Sequence, residues 1–200
     1  MTGQQVDDLL RLVEAHDGAA PLFIGLDGRS GAGKSTLATA LATALGASSS
    51  ILVVEGDEFY AGGSGATWDA RSPAENADRV IDWRSQYGAL TALRTAGTAT
   101  WRPFDWESPG WDADFAPLAD PVSADLADLV LVEGVYSCRP ELHDLLDLRV
   151  LLATPEEERR RRLHGREGDA YRNDWEARWG EAEDHYFCVV MPPARFDLVL

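Results

Sequence analysis

Residues 28–35 read Gly-Arg-Ser-Gly-Ala-Gly-Lys-Ser, which satisfies the pattern G-x-x-x-x-G-K-[ST]. Glycines at 28, 31 and 33 let the backbone curl so that consecutive N–H groups point at phosphate oxygens. A helix starting directly afterwards adds its positive N-terminal end. Lys34 can then reach the outer phosphates of a nucleoside triphosphate, and Ser35 offers a hydroxyl to Mg2+ bridging the β and γ phosphates. The segment expected to hold the nucleotide is Gly28, Arg29, Ser30, Gly31, Ala32, Gly33, Lys34, Ser35 and Thr36. Of the 18 basic residues 17 are Arg, so the bias of the chain would by itself have put Arg at position 34; the single lysine reads as chemically required.

Acids and arginines at three further places suit the same chemistry. Asp57 directly follows the apolar run Ile51–Glu55, where a carboxylate can orient an attacking hydroxyl and take its proton. A solvated loop acid or a helix N-cap fits that spacing equally. Glu133 ends the run LVLVE and is placed to hold a magnesium-bound water. Arg159, Arg162 and Arg166 recur at i, i+3 and i+7, sharing one helix face that can close over a triphosphate as a lid. The bland alternative is a solvated basic helix paired to Glu156, Glu157 and Glu158, above all for Arg160.

These residues need a scaffold, and the apolar pattern supplies one. Residues 21–27, 51–55, 129–133, 148–153 and 196–200 are short, nearly continuous apolar runs, as expected of parallel strands buried on both faces. Helical spacing occupies residues 6–16, and the Ala- and Leu-rich stretch 34–45 stops at Gly46. One helix is expected over 75–95 and another from 156 onward, while residues 101–125, with four prolines, read as mostly loop. Strands alternating with helices specify an α/β fold: a five-stranded parallel sheet flanked by helices, with ligands at the carboxyl ends of the strands. The phosphate-binding loop makes this a P-loop NTPase fold.

Two hundred residues with 45% apolar content suit one domain, spanning 1–200. A net charge of −16 opposes a nucleic-acid or anionic-membrane partner and favours a small-molecule one. No run approaches the roughly 18 apolar residues of a membrane span, and the acidic N-terminus lacks a signal-peptide pattern, so the expected location is cytoplasmic. Cys138 and Cys188 form no ligand cluster and are expected to be reduced thiols; assembly into a homo-oligomer stays open.

Taken together, GRSGAGKS, the D-x-F-Y of Asp57–Tyr60, Pro103-Phe104-Asp105, Val132-Glu133-Gly134 and R-x-x-R-x-x-x-R resemble the uridine kinase and pantothenate kinase-like branch of P-loop small-molecule kinases. The resemblance runs from about residue 21 to 200 and its motifs keep the family order, although only the phosphate loop is specific alone. It implies a nucleoside-kinase-like three-layer core that uses ATP and Mg2+ to phosphorylate a small-molecule hydroxyl. By the same resemblance Asp57 is the base, Lys34 and Ser35 hold phosphate and metal, Arg162 and Arg166 belong to the lid, and Tyr60 contacts the acceptor. An acceptor-binding insert is expected over about 58–115 and the lid over about 156–172. The family's N-F-D-H-P run corresponds to Glu75-Asn76-Ala77-Asp78-Arg79, leaving Asp78 to bind a hydroxyl without the His or Pro. No histidine lies near Phe104-Asp105-Trp106-Glu107-Ser108, where uridine kinases read the pyrimidine.

The acceptor segment is instead aromatic and acidic, with Trp68, Trp83, Trp101, Phe104, Asp105, Trp106, Glu107, Trp111, Asp112 and Asp114. Such a wall suits a ring, a polyol or an amine-bearing acceptor, though single tryptophans serve equally as core. Trp175 and Trp179 read as packing residues of the last helix. Two other readings share the phosphate loop: a nucleotide-binding regulatory ATPase or switch acting on a protein partner, and a shikimate- or gluconate-type kinase.

Overall fold

The computed structural model describes residues 3–16, 21–46, 49–108, 116–167 and 174–200. The carboxyl end of the expected lid, and Trp111, Asp112, Asp114 and the Trp175 side chain, lie outside the described residues.

The apolar runs form the sheet. Strands β1 (Leu22–Asp27), β2 (Ile51–Glu55), β5 (Leu129–Glu133), β6 (Leu148–Leu151) and β7 (Leu198–Val199) pair in parallel in the order β2-β5-β1-β6-β7. Register aligns Leu22 with Leu129 on one side of β1 and Ile24 with Leu148 on the other. Side chains alternate across each strand, so every strand feeds two cores. Leu22, Ile24, Leu26, Leu129 and Leu131 face α1 (Gly3–Glu14) and α2 (Lys34–Leu45), where Leu9, Leu37 and Leu41 are fully buried. Phe23, Val130 and Val132 face the opposite way, toward α4 (Pro73–Arg79), α5 (Trp83–Ala96) and α7 (Asp174–His185). The result is three layers, with β1 and β5 at the centre and the phosphate loop leaving the carboxyl end of β1.

One expectation needs correction. The helix expected over 75–95 is two helices, α4 and α5. Between them Ile81 bridges to Tyr60 and the Asp82 amide donates to Phe59 O at 2.7 Å, pairing that breaks the helix; the Asp82 side chain then caps α5 through the Ser85 amide. Residues 101–125 are, among the described residues, mostly loop as expected, but a strand stands at each end. β3 (Thr98–Trp101) and β4 (Val122–Asp125) form an antiparallel ladder, extended by a Phe104–Leu118 bridge, and Pro103, Pro117 and Pro121 stand just outside the paired strands. A short helix α3 (Gly65–Asp69) and the lid helix α6 (Glu156–Glu167) complete the described elements.

Candidate nucleotide and acceptor site

The phosphate loop takes the shape its glycines permit. Gly28, Gly31 and Gly33 have φ of 153°, 76° and 101°, in the region that disfavours side chains. At Gly31 a Cβ would stand 2.7 Å from the Arg159 carbonyl oxygen, so α6 is seated on that glycine. Lys34 is buried, and its Nζ donates to Gly28 O at 2.8 Å and Arg29 O at 3.3 Å, which folds the ammonium back across the loop. The Ala32 carbonyl accepts from Thr154 Oγ1 at 2.8 Å and Arg162 Nη1 at 2.7 Å. Thr36 lies exposed in the first turn of α2.

Ser35 and Glu133 meet. The Ser35 hydroxyl donates to Glu133 Oε1 at 2.7 Å, and Glu133 is only 5% exposed. Burial pushes the Glu133 carboxyl up from the usual range, against the Ser35 hydrogen bond and Lys34 and with help from Asp57 and Glu55. A hydroxyl and a carboxylate are hard oxygen donors suited to Mg2+, which keeps most of its shell as water and phosphate oxygens. Among the described residues no cluster of three or more His, Cys, Asp or Glu side chains is placed to hold a metal ion.

Asp57 lies in a 3-10 turn, Gly56–Phe59, at the end of β2. Glu55 is the N-cap of that turn, so Asp57 is not a cap; its exposed carboxylate makes no hydrogen bond among the described residues. Beyond it stands a ring cluster. Tyr60 stacks on Trp106 with centroids 4.8 Å apart and meets the Phe104 edge at 4.9 Å, while Trp106 Nε1 donates to Asp57 O at 3.3 Å. Trp106 remains 41% exposed, whereas Tyr60 and Phe104 are buried; burial pushes the Tyr60 hydroxyl up to about 12. Asp105 accepts from the Glu107 amide at 3.1 Å. Asp78 accepts from Arg139 Nη2 at 2.9 Å and, with Tyr60, lines a cavity of about 320 Å³.

Several expected residues serve packing instead. Trp68 is 1% exposed, donates to Gly63 O and meets Trp179 edge-on at 5.2 Å. Trp101 stacks on Phe59 and donates to Glu58, and Trp83 lies under Arg84 and Arg139. Arg159 does not share a free face with the other lid arginines: its Nη1 donates to Ser30 O at 3.1 Å. Arg162 reaches the loop at Ala32 while its Nε holds Glu158 at 2.9 Å, and Arg166 is exposed farther along α6. Arg160 pairs with Glu156 at 2.9 Å, as a solvated helix face would.

Three residues about the loop had no part in the sequence reading. Asp27, wholly buried, accepts from the amides of Gly28, Tyr136 and Cys138 and from the Tyr186 hydroxyl. An acid closing an otherwise apolar strand next to the glycine loop was the available signal. Tyr136 has φ of 73°, a conformation costly for a side chain, and its amide is one of those that Asp27 holds. Glu183 binds Ser30 across 153 positions of sequence, which no local pattern announces.

Comparison with known structures finds the same fold. A possible uridine kinase from Bacillus stearothermophilus superposes with a TM-score of 0.72 at 22% identity, over 98% of this chain and 97% of that one. A protein named as a fructose transport system kinase from Silicibacter sp. gives 0.67 at 22% identity, over 100% and 99%. D-glycerate 3-kinase from Cryptococcus neoformans gives 0.56 at 14% identity, over 91% and 88%. No curated protein matches the sequence. Among the described residues no helix is long and apolar enough to cross a membrane. The family described as AAA domain matches residues 24–185, and the chain therefore belongs to it, with the P-loop kinase fold of its uridine kinase-like neighbours.

Proposed function

We propose that this protein is an ATP-dependent kinase that phosphorylates a hydroxyl of a small molecule, a nucleoside, a sugar or a related metabolite. The observation carrying the reading is the juxtaposition at one sheet edge of a complete phosphate loop after β1 and, in the turn after β2, an exposed Asp57 whose carboxylate makes no hydrogen bond among the described residues, with the Tyr60–Phe104–Trp106 cluster beyond. The neighbours' names support it, since each is a kinase named for a small molecule or its transport.

In this reading the acceptor oxygen attacks the γ-phosphorus, the bond from that phosphorus to the β-γ bridging oxygen breaks, and the electron pair leaves with ADP. Asp57 orients the attacking hydroxyl and takes its proton. Lys34 and the loop amides hold the phosphates, and Arg162 and Arg166 add positive charge from the lid. Ser35 and Glu133 would hold Mg2+, which when bound neutralises charge on the β and γ oxygens. Tyr60, Phe104, Trp106, Asp105 and Asp78 are assigned to the acceptor, with residues 58–115 as its insert and 156–172 as the lid of a single cytoplasmic domain.

The test is ADP release from Mg-ATP by the purified protein, alone and with pools of nucleosides, sugars, amino sugars and hydroxy acids, with Lys34→Ala as the blank. One pool raising the rate above the acceptor-free level, in the wild type only, supports the reading and can be split to find the substrate. Acceptor-free rates in every pool count against it and favour a nucleotide switch acting on a protein partner.

A further inference from the structure

Helix α7 is fastened to the phosphate loop by consecutive residues. Glu183, 4% exposed, accepts from the Ser30 amide at 3.1 Å and from Ser30 Oγ at 2.5 Å. Arg159 stands 4.0 Å from the other oxygen of Glu183 and donates to Ser30 O, so the Ser30 peptide is gripped at both ends. Asp184 pairs with Arg29 at 2.6 Å, and the Arg29 guanidinium lies 5.3 Å from the Phe187 ring centre. Tyr186 donates to Asp27 at 2.8 Å from a π-helical turn, Tyr186–Val190, a geometry often found at functional sites. At its other end α7 holds the acceptor side of the protein: Arg178 binds Asp69 at 2.6 Å and Trp179 packs on Trp68.

A buried carboxylate is costly unless it is paired and hydrogen-bonded, as Glu183 is, and packing alone is served as well by an apolar residue. Here the bonds decide which amides are left for an anion. Glu183 occupies the Ser30 N–H, and Arg29 O takes the Ala32 N–H at 3.0 Å. Beyond Ser30 this leaves Gly31, Gly33 and the first turn of α2, whose N–H groups have no intrahelical partner. We propose that Glu183 is a positioning residue of the phosphate loop: by fixing the Ser30 amide and hydroxyl it sets the conformation in which the amides from Gly31 onward converge on phosphate, and it ties that conformation to α7. The inference rests on the nucleotide-binding role of the loop given above.

The experiment is isothermal titration calorimetry of the full chain with Mg-ADP and Mg-ATP, beside the melting temperature of the nucleotide-free protein. Glu183→Ala is expected to weaken both nucleotides about tenfold at a temperature where it is fully folded, and Glu183→Gln, which keeps an acceptor for Ser30, to restore affinity to within about threefold. A Glu183→Ala protein that melts earlier but binds like wild type overturns the proposal, because Glu183 is then structural only. Glu183→Gln weakened as much as Glu183→Ala also overturns it, placing the effect in the charge on Arg159. If Glu183→Ala does not fold, Ser30→Ala carries the test: about threefold weaker binding supports the proposal and unchanged binding overturns it. Wild type that binds neither nucleotide sinks the underlying reading of the loop, an outcome distinct from variants that match a binding wild type.

Discussion

The Ser35 hydroxyl donates to Glu133 Oε1 at 2.7 Å, joining the first turn of α2 to the end of β5 without an intervening residue. The two oxygens come from strands and helices rather than loops, so their separation is set by the β1–β5 register that aligns Leu26 with Glu133. Ser35→Ala removes one oxygen and leaves the other buried without its donor. The Mg2+ concentration for half-maximal nucleotide binding should rise by about tenfold or more, as when a supporting ligand is lost. A magnesium titration of fluorescent-nucleotide binding reads this directly, and an unchanged midpoint would remove Ser35 from the metal site.

Lys34 and Asp57 should separate binding from chemistry. Lys34→Ala takes away the cation folded across the loop at Gly28 and Arg29, and both nucleotide affinity and turnover should collapse. Asp57 has an exposed carboxylate with no hydrogen bond among the described residues, so Asp57→Asn should change stability by less than about 0.5 kcal/mol. Phosphoryl transfer should nonetheless fall by roughly 10²–10⁴ with nucleotide affinity nearly intact. Equal loss of affinity in both variants would make Asp57 a metal ligand or a structural residue instead of a base.

What could be read from the sequence follows from how far each signal reaches. Runs such as LFIGLD and LVLVE announce themselves because a parallel strand buried on both faces must be apolar throughout, and the loop at 28–35 because its glycines and lysine are contiguous. The hairpin of β3 and β4 stayed hidden: TATW and VSAD are four residues each, and their partners lie 21 to 27 positions apart across prolines. The break at Ile81 depends on Tyr60, and the role of Glu183 on Ser30. Tryptophans 68, 83 and 101 resemble an acceptor wall in composition, yet only the burial of Trp68, the N–H partners of Trp68 and Trp101 and the arginines over Trp83 distinguish packing from recognition, and those are tertiary facts.

Gly31 offers a test of how α6 is seated. Its φ of 76° already disfavours any side chain, and an added Cβ would meet the Arg159 carbonyl oxygen at 2.7 Å and Leu163 Cγ at 2.9 Å. A backbone carbonyl within a helix cannot step aside alone, so α6 must move away from the loop. Gly31→Ala should destabilise the protein by about 1–3 kcal/mol and weaken nucleotide binding through displaced Arg162. Urea denaturation and calorimetry on the same variant check both halves; normal stability would mean that α6 yields at no cost.

Asp27 sets a pH dependence of stability. Its carboxyl is wholly buried, and burial raises its pKa above the ordinary 3.8 even against the amides of Cys138 and Gly28, the Tyr186 hydroxyl and Lys34. A carboxyl with a raised folded value binds its proton more tightly in the native state than in the unfolded chain. Stability linked to it is therefore fully present below the unfolded value and is lost as pH rises through the folded one. Asp27→Asn cannot titrate, and it turns an amide N–H toward groups that are themselves donors, so it should be less stable than wild type at every pH. The wild-type advantage should be largest at the acid end of a series starting near pH 4 and should shrink as pH rises. Urea midpoints of the two proteins across that series measure it, and an advantage that grows with pH would show that the four donors, not burial, govern Asp27.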